Sequence, residues 1–269
     1  MLSSRAPAQS GSAAAAVPPA DFFTDPAGKF YYLMADGRLV TANPLGENTY
    51  SFYDSSLGVP DDIDVSNPFE IIVHYRDYGQ LVLLDRTLSE LGRLDLYAID
   101  ELRQGGAVAR SFDNRIWVFD DWAYRLKLFD NAGRLLQQTN DLRLELRLAE
   151  PPAAILVDRT FVSLLFPDRD RLAVFRNTGR FLHWVDLPAA GYRSWQPPFL
   201  LGLPAEPAAP AWRWRPEAGR AQPYPLPPWA TAARRPRLTP THLLTLDTLT
   251  TGHAARYPLP QPGPVPQNN

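Results

Sequence analysis

Three turns hold the side chains best suited to chemistry or recognition. They are Arg76-Asp77-Tyr78, Asp120-Asp121-Trp122 with Tyr124 close behind, and Asp168-Arg169-Asp170, with Asp36 in a similar turn upstream. Trp, Tyr and Arg bury large areas while keeping a polar handle, which makes them the usual anchors of protein interfaces. This set therefore reads as a binding surface for a protein or peptide. The carboxylates could offer hard oxygens to Ca²⁺, but an Asp-x-Asp-x-Asp-Gly loop is missing, so no metal or cofactor is expected. The histidines, His74, His183, His242 and His253, never stand at metal-ligand spacing. His74 and His183 alternate with apolar neighbours and read as ordinary strand positions. The sequence contains no Gly-x-Ser-x-Gly, no phosphate loop and no His-Glu-x-x-His, so no catalytic residue is assigned. With no Cys, disulfides and thiolate metal sites are excluded.

Some of these residues have simpler roles. Asp120 and Arg125 flank one hairpin and are expected to pair across it, as an exposed charge pair worth under ~1 kcal/mol. Asp25, Asp64, Asp113 and Asp158 recur beside first turns, which suits turn formation better than a metal cage. Trp195, Trp212, Trp214 and Trp229 cluster in a Pro-rich third and are expected to pack rather than to stack on sugars or peptides.

The elements that position these side chains form a repeat. Short apolar runs end in turns whose last positions fall at 46, 88, 133, 179, 219 and 250, giving steps of 42, 45, 46, 40 and 31 residues. A period of 40 to 50 residues built from strands and turns indicates propeller blades, because one small sheet buries its faces only against its neighbours. The clearest hairpin joins Arg115–Asp120 to Leu126–Asp130. Others join Lys29–Met34 to Leu39–Ala42, Glu70–Tyr75 to Leu81–Leu84, and Thr160–Phe166 to Leu172–Phe175. A turn before each hairpin and an apolar run after it complete four antiparallel strands per unit. The expected fold is an all-β propeller of six four-stranded blades. Its hairpin turns share one ring face with the blade-to-blade connections, while the opposite face carries plain Asn/Asp/Gly/Thr turns.

Units five and six are poorer, since 17 of the 28 prolines lie from Pro197 onward and Pro cannot donate to a ladder. The short last step suggests a trimmed blade completed by the N-terminal strand Asp21-Phe22-Phe23. Leu142–Leu148 alternates strictly and is either an amphipathic strand or a short helix. Residues 1–20 read as a disordered leader or signal-peptide remnant lacking a proper hydrophobic region, 21–260 as a single propeller domain and 261–269 as a disordered tail. Lys+Arg number 27 and Asp+Glu 29, intermixed, so neither nucleic acid nor an anionic membrane is an expected partner. No apolar run reaches the length of a membrane span, and the propeller is expected to be monomeric.

Arg115 to Gly133 resembles the repeat of NHL-type six-bladed propellers, with Asp120, Arg125, Phe129, Asp130 and Gly133 in the family's places. Gly28 matches the opening turn of that repeat and Arg171 its basic position, whereas Gln80 and Leu88 depart from it. Residues 22–187 also resemble uncharacterised exported propellers of Bacteroidota-type bacteria, through Val65–Ile71, Tyr78–Asp85 and Leu88–Gly92. That likeness implies the cell envelope or periplasm and no known reaction. The resulting expectation is a non-catalytic binding or scaffold propeller, engaging an envelope protein or peptide through the hairpin-turn face of blades one to four. The alternative is a metal-dependent lactonase or hydrolase of the kind found among resembling propellers, with Asp25, Asp64, Asp113 and Asp158 as candidate channel ligands.

Overall fold

A computed structural model describes residues 17–42, 49–206, 209–247 and 253–259. The leader and tail assigned from sequence lie, but for residues 17–20, outside these residues, as do the turns at 43–46 and 248–250.

Blade one comprises β1 (Pro19–Thr24), β2 (Phe30–Met34), β3 (Leu39–Ala42) and β4 (Thr49–Phe52). Blade two is β5 (Asp62–Asp64), β6 (Ile71–Tyr75), β7 (Gln80–Leu84) and β8 (Glu90–Asp95). Blade three is β9 (Gly105–Arg110), β10 (Ile116–Asp120), β11 (Arg125–Phe129) and β12 (Leu135–Gln138). In blade four follow β13 (Ala154–Val157), β14 (Phe161–Phe166), β15 (Arg171–Arg176) and β16 (Phe181–Asp186). Blade five has β17 (Tyr192–Gln196), β18 (Phe199–Leu203), β19 (Trp212–Trp214) and β20 (Gln222–Pro223). Blade six shows β21 (Arg237–Leu238), β22 (His242–Asp247) and β23 (His253–Pro258) among the described residues. All pairings are antiparallel between consecutive strands, and the first strands β5, β9 and β13 of blades two to four touch in turn, as do β17 and β21 of blades five and six, which puts the first strands at the ring's centre. The protein is a six-bladed β-propeller.

Strand alternation explains why the ring holds together. On β10, Trp117 and Phe119 enter the core shared with blade four, whereas Ile116 and Val118 enter the core shared with blade two. Each of the six blade junctions has such a core, and burying each large side chain contributes roughly 1.5–3 kcal/mol. The junction of blades three and four buries Trp117, Phe119, Phe166 and Phe175 among others, while the junctions flanking blade six bury Leu201, Leu203 and Leu238 on one side and Phe22, Leu244 and Leu246 on the other. Turn chemistry sets the repeat. Asp130 Oδ1 accepts from Ala132 N and Arg134 N at 3.0 and 2.9 Å, and Gly133 closes the turn at φ 79°. Asp85 repeats those bonds to Thr87 N and Ser89 N, with Leu88 at φ 60° in the glycine's place. That left-handed backbone costs a non-glycine residue about 1 kcal/mol, and the burial of the Leu88 side chain offsets it.

Two expectations change and one open reading is decided. The ring does not close by β1 joining the last blade: β1 heads its own sheet. Closure comes from Phe22 packing on Leu244 and Leu246, from the Tyr32 hydroxyl accepting from Ala254 N at 3.1 Å, and from Arg237. The Arg237 guanidinium bonds Asp21 Oδ1 at 3.1 Å and stacks on Phe22 and Phe23. The strand before the turn expected at 247–250, β22, is the second of its blade and not the third, because β21 is the innermost strand there. The short step of 31 residues is therefore a change of register within the repeat. Finally, Leu142–Leu146 forms a helix, α1. Asp141 caps it by accepting Arg143 N at 2.9 Å, and Arg147 ends it at φ 55°. Leu142 is buried whereas Leu144 stands 83% exposed, so the strict alternation has no sheet to serve.

Candidate binding face

Backbone hydrogen bonds place the turns between second and third strands beside the blade-to-blade connections, as the topology requires. Leu96 N donates to Gly79 O, Asp121 N to Gln104 O, Leu142 N to Tyr124 O and Leu187 N to Asp170 O, at 2.6–2.9 Å. This hairpin-turn face displays Tyr53, Val59, Tyr78, Tyr97, Trp122 and Leu144, with Trp122 70% exposed. The opposite face is less plain than the sequence suggested, since its first turns expose Phe69 and Phe112.

Arg76–Tyr78 forms one 3₁₀ turn closed by Gly79 at φ 58°. The Tyr97 ring lies against Gly79, where an added Cβ would come within 2.8 Å of it, and its hydroxyl donates to Asp77 O at 3.2 Å. Glycine thus lets Tyr97 seat itself beside Tyr78, leaving both rings and the Asp77 carboxylate open to solvent. Tyr97 was not legible as a site residue, because it lies in a blade-to-blade connection and not in a hairpin turn.

The remaining candidates divide. Asp120 does not belong to an exposed surface: it is fully buried. It accepts from Arg103 N, Gln104 N, Trp122 N and Ala123 N at 3.0–3.3 Å and from Lys127 Nζ at 2.7 Å. Burial pushes its carboxyl up, but Lys127 and the amides outweigh that and hold it below the usual range. Nor does it form the expected ion pair with Arg125, whose Nη1 donates to Thr139 O at 3.2 Å instead. Tyr124, at φ 51°, covers the core with its edge on Phe119 and is itself covered by Arg143 at 4.7 Å. Arg169 pairs with Glu150 at 2.5 Å, and Asp170 with Arg193, whereas Asp168 stays exposed.

Asp121 leads to a polar cluster between blades two and three. Its carboxylate lies on Gly106, whose missing Cβ would stand 2.0 Å from Oδ1. Burial pushes the carboxyl up to about 6, against the pull of Arg76 and His74. His74 is wholly buried on β6, as a strand residue should be, with Nδ1 3.5 Å from Asp62 Oδ2. Arg76 Nη2 lies 3.5 Å from the same oxygen. Asp62 and His74 were missed as neighbours of the turn because their proximity is set by the ring, not by local spacing.

The four first-turn carboxylates cap their own turns. Asp25 accepts Lys29 N at 2.9 Å, Asp64 accepts Ser66 N at 2.8 Å, Asp113 accepts Ser111 Oγ at 2.5 Å and Asp158 accepts Thr160 N at 2.8 Å. Among the described residues no three His, Asp or Glu side chains form a metal-binding group. Trp212 and Trp214 are buried between blades four and five with Trp195 against them, and Trp229 stacks on Tyr257 at 4.4 Å.

The fold and this face define a β-propeller with an aromatic, acidic turn surface. Among solved structures, the chain is similar to a streptogramin B lyase, with 13% identity over 92% of this chain and 86% of that one, at a TM-score of 0.56. It is also similar to a chain of the mitotic checkpoint complex, with 10% identity over 83% and 70% and a TM-score of 0.51. A virginiamycin B lyase from Staphylococcus aureus aligns at 8% identity and a TM-score of 0.47 over 69% of this chain and 62% of its own. No family model and no curated protein matches the sequence. At these identities the likeness is one of fold, shared by a streptogramin B lyase and by a checkpoint assembly chain, and fold alone does not carry function.

Proposed function

We propose that the protein is a non-catalytic binding propeller that holds a protein or peptide on its hairpin-turn face. The observation that carries this reading is the set of exposed aromatics there: Tyr78, Tyr97 and Trp122 stand 50%, 62% and 70% exposed on turns fixed from below. Asp120 fixes the Trp122 turn through its amide bonds, and Gly79 lets Tyr97 brace the Tyr78 turn. Rigid aromatic anchors on a preorganised surface lose little entropy on binding, which suits them to a partner rather than to a small substrate. The NHL-type likeness and a cell-envelope location belong to the same proposal. The first is supported by Asp120, Arg125, Asp130 and Gly133 standing in the repeat's places, and the second rests only on the resemblance of residues 22–187 to exported propellers.

The test is affinity purification of the tagged protein from its native cells after mild cross-linking, beside a Tyr78→Ala/Tyr97→Ala/Trp122→Ala variant. One stoichiometric partner recovered with the wild type and lost with the variant, at an unchanged thermal midpoint, is the expected result. A partner retained by the variant would overturn this face as the binding surface.

A further inference from the structure

A cleft of about 660 Å³ opens between blades four and five on the same ring face. That volume lies within the range of ligand sites. Five prolines and five alanines make up most of its lining. Neither side chain has rotamer freedom to lose, so an occupant meets walls that need no ordering. Trp212, on β19, completes the apolar part. Its indole is 2% exposed, and its Nε1–H, also buried, has no hydrogen-bond partner among the described residues. A buried indole N–H ordinarily finds an acceptor, so the wall of the cleft keeps an unmet donor at Trp212.

Charge gives the cleft its polarity. Asp168 from the blade-four turn and Glu206 from the blade-five turn both line it, both are exposed, and neither is in an ion pair among the described residues. Asp170 also lines it but is taken up by Arg193, the one cationic side chain of the lining. Two unengaged carboxylates over an apolar trough repel anions and attract a cation carried on an apolar body.

We infer that this cleft binds an extended, largely apolar peptide segment that packs beside Trp212 and is held through one Arg or Lys side chain by Asp168 and Glu206. The inference rests on the binding function proposed above and names the chemistry of the partner.

Titration of the protein with Ac-Ala-Pro-Arg-Pro-Ala-NH₂ and with its Glu counterpart, followed through tryptophan indole ¹H–¹⁵N signals, tests it. The Trp212 signal is assigned by Trp212→Phe. The Arg peptide is expected to shift that signal and to bind at least tenfold more tightly than the Glu peptide, with affinity falling as salt rises. Asp168→Asn/Glu206→Gln, both surface changes, is expected to weaken the Arg peptide about tenfold at an unchanged thermal midpoint. Equal affinity for the two peptides, no binding of either, or an unmoved Trp212 signal would overturn the inference. Agmatine binding as tightly as the Arg peptide would overturn it in favour of a small cation. If these titrations fail while the Tyr78/Tyr97/Trp122 variant still loses its partner, the cleft falls and the binding face stands. If they succeed while that variant keeps its partner, the cleft stands and the aromatic face falls.

Discussion

Replacing Asp120 by Asn should destabilise the protein by about 3–5 kcal/mol, the cost of leaving a buried charge without its partner. The geometry sets the size of the effect. Asp120 Oδ1 accepts from Gln104 N, Trp122 N and Ala123 N, and Oδ2 from Arg103 N and Lys127 Nζ. An amide oxygen in the Oδ1 place keeps three of these bonds. Its NH₂ then meets two donors, one of them an ammonium that is only 5% exposed. Lys127→Met leaves the carboxylate its four amides but removes the Nζ bonds to Asp120 and to Glu101 O, and should cost at least about 1.5–3 kcal/mol, the scale of a hydrogen bond to a charged group. The double variant should cost less than the sum of the two by at least ~1 kcal/mol, because the second change removes the orphan created by the first. Urea unfolding followed by tryptophan fluorescence measures all three. The carboxyl is held below its usual range, so its stabilisation is complete above the unfolded value of 3.8 and is lost as pH falls through the lower folded value. The gap between wild type and Asp120→Asn should accordingly narrow below about pH 4. An Asp120→Asn cost under 1 kcal/mol, or strict additivity with Lys127→Met, would refute the buried-staple reasoning.

Asp121 should behave in the opposite way. Its carboxyl is raised from 3.8 to about 6, so the native state binds the proton more tightly and loses stability as pH rises from about 4 to 6. The full shift corresponds to about 3 kcal/mol, and solvent screening of a half-buried group reduces that to ~1–2. Asp121→Asn should therefore stabilise the protein by ~1–2 kcal/mol at pH 7 and by nothing at pH 4, measured as thermal midpoints across that range. Phe22→Ala should cost about 3–5 kcal/mol, because Phe22 fills the core that closes the ring against Leu244 and Leu246. Native-state hydrogen exchange should then quicken in blades one and six and hold steady in blades three and four. Uniform quickening would mean that the ring closes elsewhere.

Most of the fold was legible because the hairpins of the first four units pair runs of aromatic and β-branched residues across short polar turns. Those hairpins lie within a residue of their expected ends. Blade six was misread in register because a turn such as Asp247-Thr248-Leu249-Thr250 carries no mark of which strand precedes it. Only the contact of β21 with β17 shows that β21 comes first. α1 was undecidable for a similar reason: alternation is evidence for a strand only if a neighbouring strand is there to pair with. The site was less legible than the fold. Asp120 stands directly opposite Arg125, which suggested their pairing, yet it bonds Lys127, which stands opposite Val118. Residues two apart on one strand share a face, so Lys127 was available by period. The connection bearing Arg103 and Gln104 then decided which cation would be buried with Asp120.

That decision bears on function. The pairs that remove charged residues from the turn face, Asp120 with Lys127, Arg169 with Glu150 and Asp170 with Arg193, are the ones that fix its turns. The exposed part of the face then shows aromatic rings with Asp77 over blades two and three, and Asp168 and Glu206 over the cleft of blades four and five, while Arg103 and Arg147 stand exposed on the connections that flank blade three. The face thus presents apolar anchors at one end and, over the cleft, two carboxylates in no ion pair among the described residues. A single partner bearing an apolar surface and a basic arm would satisfy both ends of that face at once. Replacing the aromatics would then weaken the complex at any ionic strength, whereas replacing the two carboxylates would weaken it chiefly at low salt.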